Sequence, residues 1–153
     1  MEKKDWILLL VPILCNGVIM FLLQKAFEKR QLVLNEKYKY VSLMLQKVDK
    51  ALDLFVKTLQ TTDDDLTQIN RLNQFSASYC EVYYYYQQNQ TLFKHLENSM
   101  TELIKTHEEI QKDLLAIQNN KHTPEVVRHM ELLFYKIYDL LQSIQKDCIQ
   151  RKV

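Results

Sequence analysis

The sequence predicts an all-α protein: a single N-terminal transmembrane helix followed by an up-down four-helix bundle of long helices. Three observations predict it. Residues 6–23 contain no Asp, Glu, Lys or Arg. The only glycine, Gly17, and one of the two prolines, Pro12, lie inside that stretch, which leaves Pro124 as the sole strong turn former in the rest of the chain, too few for a set of hairpins. Beyond residue 24, apolar residues recur at alternating spacings of three and four, the period of a helix face. An extended antiparallel or oligomeric coiled coil is the alternative reading of the same pattern.

The expected domains are a short tail over 1–5, the membrane helix over 6–23 and a cytoplasmic helical bundle over 24–153, with helices at about 24–60, 63–87, 91–119 and 124–150. The uncharged stretch is long enough to cross: at about 1.5 Å per residue it covers roughly 27 Å, close to the roughly 30 Å hydrocarbon core of a bilayer. Trp6 at its edge suits the headgroup interface and Leu23 ends the run. A cleaved secretory signal would have a shorter apolar core and a small-residue cleavage site, whereas Gln24-Lys25-Ala26 follows here. A lipoprotein reading of Cys15 fails because Leu14 precedes it, where a small residue is needed. Within the span, Pro12 produces a kink that a membrane helix tolerates, and Asn16 offers an amide to a neighbouring helix. With Gly17 alone, no GxxxG pair exists.

Orientation follows from basic residues. Lys3 and Lys4 precede the span, while Lys25, Lys29, Arg30, Lys37 and Lys39 follow it, so the positive-inside tendency puts the carboxyl-terminal part in the cytoplasm and the N-terminus outside. Lys25, Lys29 and Arg30, with Arg151 and Lys152 from the far end of the chain, form a candidate collar for anionic lipid headgroups.

The first bundle helix carries Phe27, Leu34, Tyr38, Val41, Leu45, Val48, Leu52, Phe55 and Leu59 in heptad register, with Gln31 as the polar member, and Met44, Ala51 and Val56 widen the face. It ends at Thr61-Thr62-Asp63-Asp64-Asp65, where Thr62 can cap and the acids suit a helix start. A second stripe runs in unbroken phase from Leu72 to Ile117. Kept whole, it would travel roughly 85 Å back along a stalk only about 55 Å long and drive the charges of residues 107–113 into lipid at several kcal/mol each. A turn is therefore expected over residues 87–91, where apolar residues vanish and Thr91 can cap. The last turn is signalled by Asn119, Asn120, Thr123 as N-cap and Pro124 at the first helical position. The closing helix carries Val127, Met130, Phe134, Ile137, Leu141, Ile144 and Cys148.

Composition narrows function. The net charge is +1 and no Lys/Arg run exceeds two, which argues against nucleic acid as a partner. Three scattered cysteines, Cys15, Cys80 and Cys148, make no disulfide framework and fit a reducing compartment. The four histidines, His95, His107, His122 and His129, show no metal-ligand spacing, and a phosphate loop cannot be built without glycine. Neither cofactor, metal nor small-molecule substrate is expected. Tyr79, Tyr83, Tyr84, Tyr85 and Tyr86 stand out, because four consecutive residues cover every side of a helix and some rings must face water or a partner. The expected protein is a membrane-anchored, non-enzymatic helical scaffold, adaptor or sensor component that binds a protein partner or itself; a small pore or lysis-type oligomer is the alternative.

Overall fold

A computed structural model describes residues 3–59, 65–118 and 123–150, with side chains from Ile19 onward except at 65, 66, 68 and 118. Among the described residues there are four α-helices, one short 3-10 helix and no strand: α1 (Lys3–Leu59), α2 (Asp65–Gln88), the 3-10 turn Lys94–Leu96, α3 (Glu97–Gln118) and α4 (Pro124–Gln150). The chain divides into two units, Met1–Lys39 and Tyr40–Val153.

The described part of the first unit, from Lys3 to Lys39, is helix alone. Every described side chain in it, from Ile19 to Lys39, is exposed, including Phe21, Phe27 and Leu34. Among the described residues no helix is long and apolar enough to cross a membrane. The expected span is not judged by that result, because the side chains of residues 6–18, with Trp6, Pro12, Asn16 and Gly17, lie outside the described set.

The second unit is a helical bundle, and its contacts give the helix directions. Lys50 reaches Glu81 at 3.5 Å, and Arg71 Nη1 donates to the carbonyl of Lys57 at 3.1 Å, so α2 descends as α1 rises. Tyr79 meets His107, and the Tyr85 ring lies 6.1 Å from Phe93, which sets α3 against α2. Lys136 pairs with Glu102 and His129 with Asp113, setting α4 against α3. Gln145 donates to Asp49 at 2.6 Å while Phe55 stacks on Tyr138 at 4.7 Å, closing α4 back onto α1. Each neighbour runs antiparallel.

Alternating spacings of three and four place the core. Val41, Met44, Leu45, Val48, Ala51 and Phe55 from α1 meet Phe75, Tyr79, Val82 and Tyr86 from α2, Met100, Leu103 and Ile110 from α3, and Phe134, Ile137, Leu141, Ile144 and Cys148 from α4. The buried serine and threonine hydroxyls are satisfied within their own helices. Thr58 and Thr106 donate to the carbonyls four residues back and Ser78 to that of Phe75, as short hydroxyls do when no water reaches them. The Lys50–Glu81 and Lys136–Glu102 bridges join exposed side chains, where water and salt leave each worth at most about 1 kcal/mol, so apolar burial carries the bundle.

Several expectations need correction. The continuous second helix of the extended alternative is broken after Gln88. The break runs further than expected, and Thr91 does not cap: Phe93 stands at the N-cap of the 3-10 turn with no side-chain cap, and α3 starts at Glu97. Tertiary burial outweighs capping there, because Phe93 and Leu96 are almost wholly buried and pin the connection. Val56, Leu59, Leu114 and Val127 remain exposed by more than a third, since an antiparallel bundle needs only part of the apolar face at its outer end. The turns expected around Thr62 and over residues 119–122 lie outside the described residues. The α4 start is as the sequence reads: Thr123 Oγ1 accepts from the Val126 amide at 3.4 Å and Pro124 is the first helical residue. Glu125 then sits on the positive end of the helix, and its carboxyl is held below the usual range by its own backbone N–H and by the Thr123 hydroxyl.

Candidate functional site

The tyrosine run is the strongest local feature of the sequence, and α2 distributes its rings by helical angle. Tyr79 and Tyr86 point inward and are 0 % and 2 % exposed. They belong to the core, which corrects the expectation that they form part of a partner surface. Tyr83 and Tyr85 are half-buried, and only Tyr84, at 65 %, stands in the open.

Tyr79, Tyr83 and Tyr85 each have a hydrogen-bond partner for the hydroxyl, as a buried phenol needs. Tyr85 donates to the carbonyl of Tyr40 at 3.2 Å and has Lys47 Nζ 5.8 Å above its ring. Burial, then the nearby Tyr40, pushes the Tyr85 hydroxyl above its ordinary value. Tyr83 accepts from Gln87 Nε2 at 2.7 Å, one turn away, and its ring lies 6.2 Å from that of Tyr84. Tyr83 and Tyr84 thus form the accessible remnant of the expected patch. Beside it, Tyr86, Gln90, Thr91, Lys94 and Glu97 line an open groove of about 260 Å³ along the α2–α3 connection.

Deeper in, Tyr79 Oη lies 2.8 Å from His107 Nδ1, with the rings edge to face at 5.5 Å. Desolvation lowers the His107 pKa, against a smaller opposing effect of Glu108, and raises the Tyr79 hydroxyl to about 12. Both shifts favour neutral partners, so the contact is a hydrogen bond between an uncharged phenol and an uncharged imidazole, with the donor set by the histidine tautomer. The pair is a core hydrogen bond: with Tyr79 closed to water no substrate reaches its oxygen. Cys80 is half-buried and its thiol is pushed up by burial, the opposite of what an activated nucleophile requires. Among the described residues no group of three His, Cys, Asp or Glu side chains is placed to hold a metal ion.

A second open groove, of about 300 Å³, lies between α1, α2 and α4 and is lined by Phe55, Leu72, Met130, Phe134 and Tyr135 with Glu131 at its edge. Neither groove is foreshadowed by the heptad pattern. Both are spaces between helices, and no single stripe encodes them.

Of the expected headgroup residues, Lys25, Lys29 and Arg30 are exposed on α1, with Lys25 Nζ 5.0 Å over the Phe21 ring. Arg151 and Lys152 lie outside the described residues. Leu23 is exposed, at 61 %. No family model, curated protein or solved structure matches the chain.

Proposed function

We propose that the protein is a membrane-anchored, non-enzymatic helical interaction protein, a scaffold, adaptor or sensor component that binds a protein partner or itself at the membrane. The observation that supports this most is the continuity of α1. One helix, Lys3–Leu59, carries the uncharged stretch 6–23 at its start and a wall of the bundle core, Val41 to Phe55, at its end. No loop separates a would-be anchor from the folded unit.

In this reading residues 6–23 span the bilayer once, with the N-terminus outside and the bundle in the cytoplasm, in line with the excess of Lys and Arg after the span. Lys25, Lys29 and Arg30 would then lie at the inner-leaflet headgroups, each worth around 1 kcal/mol against anionic lipid. The exposed Tyr84 with the half-buried Tyr83, beside the open groove at the α2–α3 connection, provides the docking face. Tyrosine suits such a role because it brings a large contact area with a polar tip and little side-chain entropy to lose.

The test is fractionation of the full chain from membranes at alkaline pH, combined with dye release from liposomes carrying the purified protein. Retention in the membrane pellet without leakage is expected. Release into the wash would overturn the anchor, and sustained leakage would replace the reading with a pore.

A further inference from the structure

We propose that the groove between α1, α2 and α4, at the end of the bundle where α1 stops, binds a small organic cation: an ammonium group joined to an apolar body. This goes beyond the interaction-protein reading and does not depend on how the chain meets the membrane.

Shape and lining come first. The groove holds about 300 Å³, the lower end of the roughly 300–1,000 Å³ typical of ligand sites, which gives room for one ring with a short tail. Phe55 and Phe134, both buried, form its floor, with Leu72 and Met130 half-buried beside them. Leu59 and Val127 also line it and stay exposed, so an apolar body laid there removes from water side chains that the bundle leaves open. The Thr58 hydroxyl donates to the Leu54 carbonyl at 2.8 Å, and its proton is not free for a ligand.

Charge then selects the occupant. No Lys, Arg or His lines the groove, so the Glu131 carboxylate is the one formal charge on its border. Glu131 makes no hydrogen bond or ion pair with another described residue. The basic neighbours in sequence of Thr58 and Leu72 are turned elsewhere: Lys57 pairs with Asp53, and Arg71 Nη1 donates to the Lys57 carbonyl. Glu131 and Tyr135 lie one turn apart on the same face of α4. Tyr135 meets Phe55 edge to face at 5.5 Å and remains exposed, so ring surface stays open beside the carboxylate. An ammonium placed there gains the ion pair and the ring face together. A neutral body over the groove would strip water from the carboxylate and return nothing, and an anion would be repelled.

The experiment uses the full chain in phosphatidylcholine liposomes, with protein-free liposomes subtracted, and three probes of one shape: phenethylammonium, 2-phenylethanol and 3-phenylpropionate. Dissociation constants are read by saturation-transfer NMR titration at neutral pH. The ammonium is expected to bind saturably and about tenfold more tightly than the alcohol, the order that an exposed ion pair and one ring face supply together, with the carboxylate weakest. Glu131→Gln should bring the ammonium to the level of the alcohol and leave the alcohol unchanged. Leu59→Lys, which adds a cation to the border, should weaken the ammonium more than the alcohol. Both positions are exposed, so folding of the bundle is not at stake. Equal binding of ammonium and alcohol, an ammonium preference that survives Glu131→Gln, or no saturable binding by any of the three probes overturns the site.

Discussion

The Tyr79–His107 bond ties the bundle's stability to pH through a single imidazole. Burial holds the folded-state pKa of His107 below its ordinary value of about 6.5, so the unfolded chain binds the extra proton first. Stability from this residue is complete above the unfolded value and falls as pH drops from there through the lower folded value. Tyr79 acts at the other end of the scale. Its folded pKa of about 12 exceeds the ordinary 10.0, so its contribution is intact below 10.0 and is lost as pH rises toward 12. The His107→Gln variant is therefore expected to lose less stability than the parent between about pH 7.5 and 5, measured by urea denaturation across that range. Identical slopes for the two proteins would remove His107 as the source of the pH dependence. The outermost tyrosine should behave differently: Tyr84→Ala at a position 65 % exposed is expected to change stability by no more than about 0.5 kcal/mol while weakening partner binding, which separates a docking role from packing.

At the scale of the elements, the connection between α2 and α3 is held by burial and the start of α4 by capping, so their mutations should differ in size. Asn89 stops α2 by accepting from the amides of Leu92 and Phe93 and donating its own Nδ2 to the Tyr85 carbonyl at 2.9 Å. Phe93, 1 % exposed, then anchors the connection. Phe93→Ala removes an aromatic ring from a closed site and is expected to cost about 3–5 kcal/mol in equilibrium unfolding. Thr123→Ala removes one long cap bond at an exposed helix start, for which about 0.5–1 kcal/mol is expected. If Thr123→Ala proved the more damaging of the two, capping rather than burial would hold these connections. The existence of these elements was legible in the sequence, because periodic burial writes itself along a helix. The α3 boundary was not, because the run from Leu72 to Ile117 keeps one phase through the turn and the 3-10 segment preserves it: Phe93 and Leu96 occupy stripe positions although they sit outside both helices.

At the scale of the molecule, the fold contrasts a unit in which apolar stripes are consumed within the chain with a helix on which they are not. In unit Tyr40–Val153 the four stripes face inward, and the aromatic group of Phe55, Phe75, Tyr135 and Tyr138 joins α1, α2 and α4 within 5.5 Å of the central Phe55 ring. Phe55→Ala, which opens that junction, is expected to destabilise the bundle by about 3–5 kcal/mol, read as a lowered urea midpoint with the slope unchanged. In Met1–Lys39 the described apolar side chains are open, and the proposed function covers Ile19 to Leu23 with lipid.

Residue spacing alone determined that the chain is helical, which faces are apolar, where α4 begins and that no metal or phosphate motif is written in it, because these depend on side chains near one another in sequence. The tertiary structure decided what distance along the chain hides. It divided the tyrosines, taking Tyr79 and Tyr86 into the core and leaving Tyr84 outside, because only the approach of α3 and α1 determines which side of α2 loses water. It placed Tyr79 against His107, 28 residues away, and it moved the start of α3 to Glu97 because burying Phe93 and Leu96 is worth more than a threonine cap at residue 91. Local propensity is a matter of tenths of a kcal/mol per residue, whereas a buried aromatic ring is worth several, and where the two disagreed burial prevailed.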